Sequence, residues 1–348
     1  MKLARLELGD SKVIDEALSF LRKLWFGRKQ LKHVNARTVD EAIAVLSDYG
    51  EEARIIAGGT DLLRLLKNKI AAPVVLVNIK AVPGLAGITE DVEGLKIGTL
   101  TTISDIETSA IIKDKYSVLA EAAHSVASPQ IRNMATIAGN LCQDVNCWYY
   151  RRARVTGRTF ACRRKGGTIC YAVAGDNRYH AIIGGKECFA VCTSDMAPAL
   201  IALDAAIKIA GPNGERIVPL EEFYTPWGNI LKPNELVTEI QVPTIKASTK
   251  QRYLKFRLRK AIDHAISSVA AVIITEAGVV TKARIVLGGV APTPYRAFGA
   301  EGAIRGKVIT DSVAEISAKV AVSEAVPLSM NTYKVPITET LVKRAILD

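Results

Sequence analysis

The apolar positions of this chain change period several times. Over residues 12–27, Val13, Ala17, Leu18, Leu21, Leu24 and Trp25 recur at helical spacing, which predicts an N-terminal helix packed on the body or on a partner. Residues 39–69 read as a helix, a short buried strand at Ile55-Ile56, a glycine turn at Gly58-Gly59 and a second helix. Thr38, placed before Asp40-Glu41, is the expected N-cap. Residues 74–80 read as a strand before the Pro83-Gly84 turn, and 94–107 as a strand followed by a capped helix. A helix is expected over 116–127 and a strand-like run over 129–141. A helix and strand follow over 195–211, then a strand over 236–243 ending at Pro243. The polar run 246–250 reads as a linker. Beyond it, strands at 269–278 and 280–290 precede helices near 298–305 and 310–324.

Between residues 142 and 192 the regular pattern stops, and there the composition is unusual. All six cysteines of the 348-residue chain lie in this window. So do nine Lys/Arg against three acids, a local charge of +6 out of a total of +11. No apolar run reaches the roughly 18–20 residues of a membrane span. The opening MKLARLELGD has no apolar stretch of a secretory signal. The expectation is a cytoplasmic chain, in which clustered cysteines bind metal or do redox work more often than they form disulfides.

Two loops carry candidate binding chemistry. IIAGGTDLL (55–63) puts two glycines between a strand and a helix, where free backbone N–H groups can approach an anion. TIAGN (136–140) repeats the logic. Neither is GxGxxG nor a P-loop. Together they suggest a diphosphate held from two sides, as in a dinucleotide such as FAD.

IIAGGTDLL, IRNMATIAGNLC, TSDMAPALIALDA and GGVAPTPYRA occur in that order. With them the chain resembles, over roughly residues 33–330, the FAD-binding middle subunit of the xanthine dehydrogenase/molybdenum hydroxylase family. The resemblance implies an α+β chain: a two-part vanillyl-alcohol-oxidase (PCMH-type) FAD-binding domain, then a C-terminal domain with a three-stranded antiparallel sheet and helices. It divides the chain into an N-terminal extension (1–32), a first flavin subdomain (33–90), a second (91–245) with the insert at about 142–192, and a C-terminal domain (246–348). Carried over by position, it implies FAD contacts at Ala57, Gly58, Gly59, Thr60, Asp61, Leu62, Thr102, Thr136, Gly139, Asn140, Leu141, Ser194, Asp195 and Lys255.

The insert resembles that of the β subunit of 4-hydroxybenzoyl-CoA reductase, where it carries a [4Fe-4S] cluster. A periplasmic aldehyde oxidoreductase subunit has a similar insert. The resemblance selects Cys147, Cys162, Cys170 and Cys188 as ligands and leaves Cys142 and Cys192 as buried packing residues beside the FAD. The last interval, from Cys170 to Cys188, is longer than in the reductase, which leaves Cys188 and Cys192 as alternatives. A four-cysteine zinc site is the structural alternative, though paired CxxC knuckles are missing. The surrounding arginines would stabilise an anionic cluster, form a solvated basic loop, or steer an acidic electron carrier. The Trp148-Tyr149-Tyr150 run reads as packing, and no nucleic-acid module is visible.

The four histidines, His33, His124, His180 and His264, form no metal or nucleophile–base pattern. His180 lies between two proposed ligands, as a plain loop residue or a hydrogen-bond partner of the cluster. The expectation is therefore an electron-transfer subunit with no catalytic residue of its own. Its implied partners are a molybdenum-cofactor large subunit, a [2Fe-2S] small subunit and an external carrier of ferredoxin or NAD(P) type, in a dimer of heterotrimers. The rivals are the FAD subunit of an aldehyde/xanthine dehydrogenase-type enzyme, a free-standing flavin oxidase, and a zinc-stabilised binding protein without flavin.

Overall fold

The computed structural model describes residues 31–152, 160–246, 249–259 and 261–348. The helix expected over 12–27, two residues of the 246–250 linker, and Arg154 and Arg158 of the insert lie outside them.

The chain opens with β1 (Lys32–Asn35), α1 (Val39–Tyr49), β2 (Ala53–Ile56), α2 (Leu62–Lys67) and β3 (Val75–Asn78). The strands form a parallel sheet of order β1-β3-β2. Thr38 caps α1 as its sequence implied. Its hydroxyl accepts the Glu41 amide at 3.0 Å, and the Glu41 carboxylate accepts the Arg37 amide at 2.8 Å. Ala42, Ile43 and Leu46 bury one helix face against the sheet. Ile55 and Ile56 are only half-buried, because they border a cavity.

Next come β4 (Ile88–Glu90), β5 (Gly94–Gly98), α3 (Ile103–Thr108), α4 (Ala110–Lys115), α5 (Ser117–Ser125), α6 (Pro129–Arg132), α7 (Ile137–Leu141) and α8 (Trp148–Arg151). The strand-like run expected over 129–141 is thus two short helices. Local capping overrides the apolar pattern: Ser128 accepts the Ile131 amide with Pro129 in the first turn, and Thr136 accepts the Gly139 amide. After the insert, α9 (Met196–Ala202) leads to β6 (Ala206–Gly211), β7 (Gly214–Pro219), the short pair β8 (Tyr224–Thr225) and β9 (Gly228–Asn229), and β10 (Leu236–Pro243). The second sheet is antiparallel, of order β4-β5-β10-β6-β7. Helices α3, α5 and α9 pack with it into the largest core.

The C-terminal part holds β11 (Thr249–Phe256), β12 (Ser267–Glu276), β13 (Val279–Gly288) and β14 (Tyr295–Arg296), then α10 (Phe298–Ile304), α11 (Asp311–Ala321) and α12 (Lys334–Leu347). Its antiparallel sheet is the expected three strands plus a two-residue edge at β14. The periodicity did not reveal α12, whose buried face mixes Lys334 and Thr338 with Leu341, Val342 and Ile346. Among the described residues no helix is long and apolar enough to cross a membrane.

Candidate functional site: a two-loop cavity and its cysteine insert

Strand β2 delivers the chain into residues 57–62, and the turn before α7 delivers residues 134–141. The two loops touch. A Cβ on Gly58 would lie 1.8 Å from the Met134 carbonyl oxygen, so only glycine lets them meet. Gly59 has φ +70°, a left-handed turn that also favours glycine. A cavity of about 670 Å³ opens between the loops, lined by Ala57 through Leu62 on one side and by Thr136, Gly139 and Leu141 on the other. Among the described residues, the amides of Gly58, Gly59, Thr60 and Asp61 have no hydrogen-bond acceptor. Four such donors on a cavity wall form an anion cradle.

The remaining flavin candidates stand behind this wall. Thr102 spends its hydroxyl on the α3 capping box with Asp105. Its backbone pairs with Thr136, and the flanking bonds Ile103 N to Ala135 O and Ile137 N to Thr101 O fix the second loop. Asn140 is buried, and its carboxamide oxygen accepts the Ser194 hydroxyl at 2.7 Å. Asp195 is buried and accepts from Lys255 Nζ at 2.7 Å and the Tyr253 hydroxyl at 3.0 Å. Ser194 and Asp195 border a much smaller cavity shared with Cys192, which also lines the large one. Lys255 faces a separate cleft with Arg252 and Arg257. None of these five lines the large cavity.

Cys142 and Cys192, both half-buried, line the cavity, and burial pushes their thiols up to about 12 and about 11. They are neutral packing groups at ordinary pH.

The insert is tied to the first loop by a residue the sequence did not single out. Arg151 of α8 reaches Asp61 at 2.5 Å and the Val145 carbonyl at 2.7 Å, with little of either charged side chain exposed. Asp61 also accepts the Asp144 amide at 2.9 Å. Only proximity in the folded chain could reveal a pair 90 residues apart. Tyr149 packs against Phe160 and Tyr171, which also touch each other, and Tyr150 bonds Asp144, so the aromatic run is structural packing.

Cys147, Cys162 and Cys188 lie near one another. Cys147 and Cys188 share one apolar cluster with Val145 and Ala190. Burial raises the Cys147 thiol to about 12, and the Cys188 and Cys162 sulfurs add to the shift. Cys162 is buried, and Cys170 is half-buried beside the Cys162–Ile169 bridge. Among the described residues no group of three or more His, Cys, Asp or Glu side chains is arranged to hold a metal. The expected four-sulfur convergence is therefore not met; the sulfurs of Cys147 and Cys188 sit instead beside side-chain nitrogens. The His180 ring lies 3.2 Å from Cys147, and Arg164 Nε donates to Cys188 at 3.1 Å. Burial, with Lys334 nearby, pushes the His180 imidazole down to about 4, so it is neutral.

Residues 29–245 match the family profile described as the FAD binding domain in molybdopterin dehydrogenase, and residues 252–348 match the CO dehydrogenase flavoprotein C-terminal domain. The carbon monoxide dehydrogenase medium chain of Hydrogenophaga pseudoflava is 30% identical over 316 residues, covering 89% of this chain and 93% of its own. The aldehyde oxidoreductase FAD-binding subunit PaoB of Escherichia coli is 34% identical over 293 residues, covering 81% and 86%. Among solved structures, carbon monoxide dehydrogenase from H. pseudoflava superposes with a TM-score of 0.74 at 29% identity, over 91% of this chain and 96% of the other.

Proposed function

The chain belongs to the family of FAD-binding medium subunits of molybdenum hydroxylases, and on that premise we propose that it is the flavin and iron–sulfur electron-transfer subunit of such a complex. The observation that carries the flavin half is the cavity between the two glycine loops, with four unpartnered amides on its wall. Ala57, Gly58, Gly59, Thr60, Asp61, Leu62, Thr136, Gly139 and Leu141 would hold the FAD there, the amides meeting its diphosphate. Thr102, Asn140, Ser194, Asp195 and Lys255 would hold the loops in place. Bound FAD supplies reversible electron exchange; the chain's own residues bind it, orient it and exclude water.

The [4Fe-4S] half rests on this chain's own cysteines. Cys147, Cys162, Cys170 and Cys188 are its proposed ligands, and the basic residues around them favour an anionic centre. The partners that follow are a molybdenum-cofactor subunit, a [2Fe-2S] subunit and an external ferredoxin- or NAD(P)-type carrier. Of the enzyme types in the family, the insert favours a 4-hydroxybenzoyl-CoA reductase-like complex. The 34% identity to an aldehyde oxidoreductase subunit favours an aldehyde dehydrogenase-type complex as the second reading.

Anaerobically purified chain should be yellow-brown, with flavin peaks above a broad shoulder near ~400 nm and about four iron atoms. Cys162→Ser or Cys170→Ser should remove the iron and spare the FAD. Zinc in place of iron would overturn the cluster half, and absence of flavin would overturn the whole reading.

A further inference from the structure

Lys255 meets Asp195 at one side and a second cleft at the other. That cleft, of about 520 Å³, lies between α5 and β11, with Glu107 and Thr108 of α3 and Lys113 of α4 also on its wall. It shares no lining residue with the cavity between the glycine loops.

Two acids line the cleft, and both are committed to other partners. Glu107 accepts from Arg132 Nε at 2.6 Å and lies 2.8 Å from His124 Nδ1. Glu121 accepts from Arg252 Nη1 at 2.8 Å and from the Tyr253 amide at 2.6 Å. Lys255 is matched by Asp195 at 2.7 Å. Two cations are left over. Arg257 donates through Nη1 to the Ser125 carbonyl at 2.8 Å and has no carboxylate partner among the described residues. Lys113 is exposed, and among the described residues its amine has no partner.

The Ser125 carbonyl adds an independent sign. It accepts from Arg257 and also from Lys255 Nζ at 3.1 Å. Two cations on one neutral oxygen repel each other, and Asp195 offsets only one of them. An anion in the cleft would offset the other.

We propose that this cleft binds the phosphate group of a small molecule, with Arg257 and Lys113 as its cationic contacts. A guanidinium has five N–H donors. Ser125 uses one, and the others have no acceptor among the described residues, so they can meet a phosphate with parallel bonds. Lys113 adds a mobile point charge from α4. A phosphate monoester carries about −1.5 to −2 charge near pH 7, which matches the two uncompensated cations. The cleft volume falls within the roughly 300–1,000 Å³ of small-molecule sites, so an organic group fits beyond the phosphate.

The experiment saturates the full chain with FAD and then titrates it by calorimetry with inorganic phosphate and with ADP, against sodium chloride at matched ionic strength. Wild type is compared with Arg257→Ala, Lys113→Ala and Lys307→Ala, the last an exposed cation outside the cleft. Urea midpoints check folding; Lys113, which holds no contact, keeps the test valid if Arg257→Ala loses stability. Arg257→Ala should bind phosphate roughly tenfold or more weakly, Lys113→Ala several-fold more weakly, and Lys307→Ala like wild type. ADP binding tighter than phosphate assigns the site to an organic phosphate, and equal affinity assigns it to the free oxyanion. No phosphate binding by wild type, or wild-type affinity in both cleft variants, would overturn the proposal. Equal weakening in Lys307→Ala would also overturn it, by reducing binding to net charge. If the chain takes up no FAD, the flavin reading fails by itself, and the Arg257 and Lys113 variants still decide this one.

Discussion

Gly58→Ala tests the central claim about the cavity, that it exists because two backbones touch. The added Cβ would sit 1.8 Å from the Met134 oxygen and 2.7 Å from its carbonyl carbon. Real Cβ contacts do not fall below 3.0 Å, so the loops must part by at least about 1.2 Å. A hydrogen bond of about 2.9 Å stretched by that much is broken. Each bond from a loop amide to a charged diphosphate contributes about 1.5–3 kcal/mol, so each one lost weakens FAD binding roughly ten- to hundredfold. The assay is titration of flavin-free chain with FAD, followed by quenching of flavin fluorescence, with far-UV circular dichroism as the check on folding. Gly302→Ala is the control, because a Cβ there meets nothing within 4 Å. A Gly58→Ala chain that binds FAD as tightly as wild type, with unchanged dichroism, would refute both the loop contact and its role.

The Lys255–Asp195 pair, nearly unexposed on both sides, should cost about 3–5 kcal/mol when Lys255→Met leaves the carboxylate buried with only Tyr253. The double variant with Asp195→Asn should recover much of the loss, read as the urea midpoint. Arg151→Ala should free the insert from the first loop, so limited proteolysis should cut between residues 142 and 192 faster while the rest of the chain resists; equal cutting rates would contradict the tether. Burial holds the Lys334 amine at about 7, below its unfolded value of 10.5. Between those values the unfolded chain carries the extra proton, so this group's contribution to stability rises with pH and its full cost is felt below about pH 7. In iron-free chain, Lys334→Met should therefore flatten the stability difference between pH 6 and pH 9, by up to a few kcal/mol at about 1.4 kcal/mol per unit. An unchanged profile on denaturant titration would show that burial does not lower the amine's pKa.

Much of this protein was legible along the chain because the signals are local. A Thr three residues before a Glu caps a helix wherever the chain goes, and Thr38 does. Alternating and continuous apolar runs marked β10, β12 and β13 because strand side chains alternate or are buried on both faces. The two glycine loops could be read as binding loops because only glycine exposes backbone that closely. The capped helices α6 and α7 were misread as a strand, since short helices are decided by end groups more than by periodicity. Helix α12 was missed because a lysine and a threonine occupy its buried face.

What the sequence determined alone is the chemistry: glycines that can cradle an anion, six cysteines in one basic window, and no acid–base constellation. What only the tertiary structure decided is who touches whom. Asp61 is held by Arg151, 90 residues away; Asp195 is neutralised by Lys255; and the Cys147 and Cys188 sulfurs meet His180 and Arg164. Each of these contacts spans a distance in sequence over which no local propensity acts, so burial and packing of whole elements set the partners, and the sequence could name only the candidates.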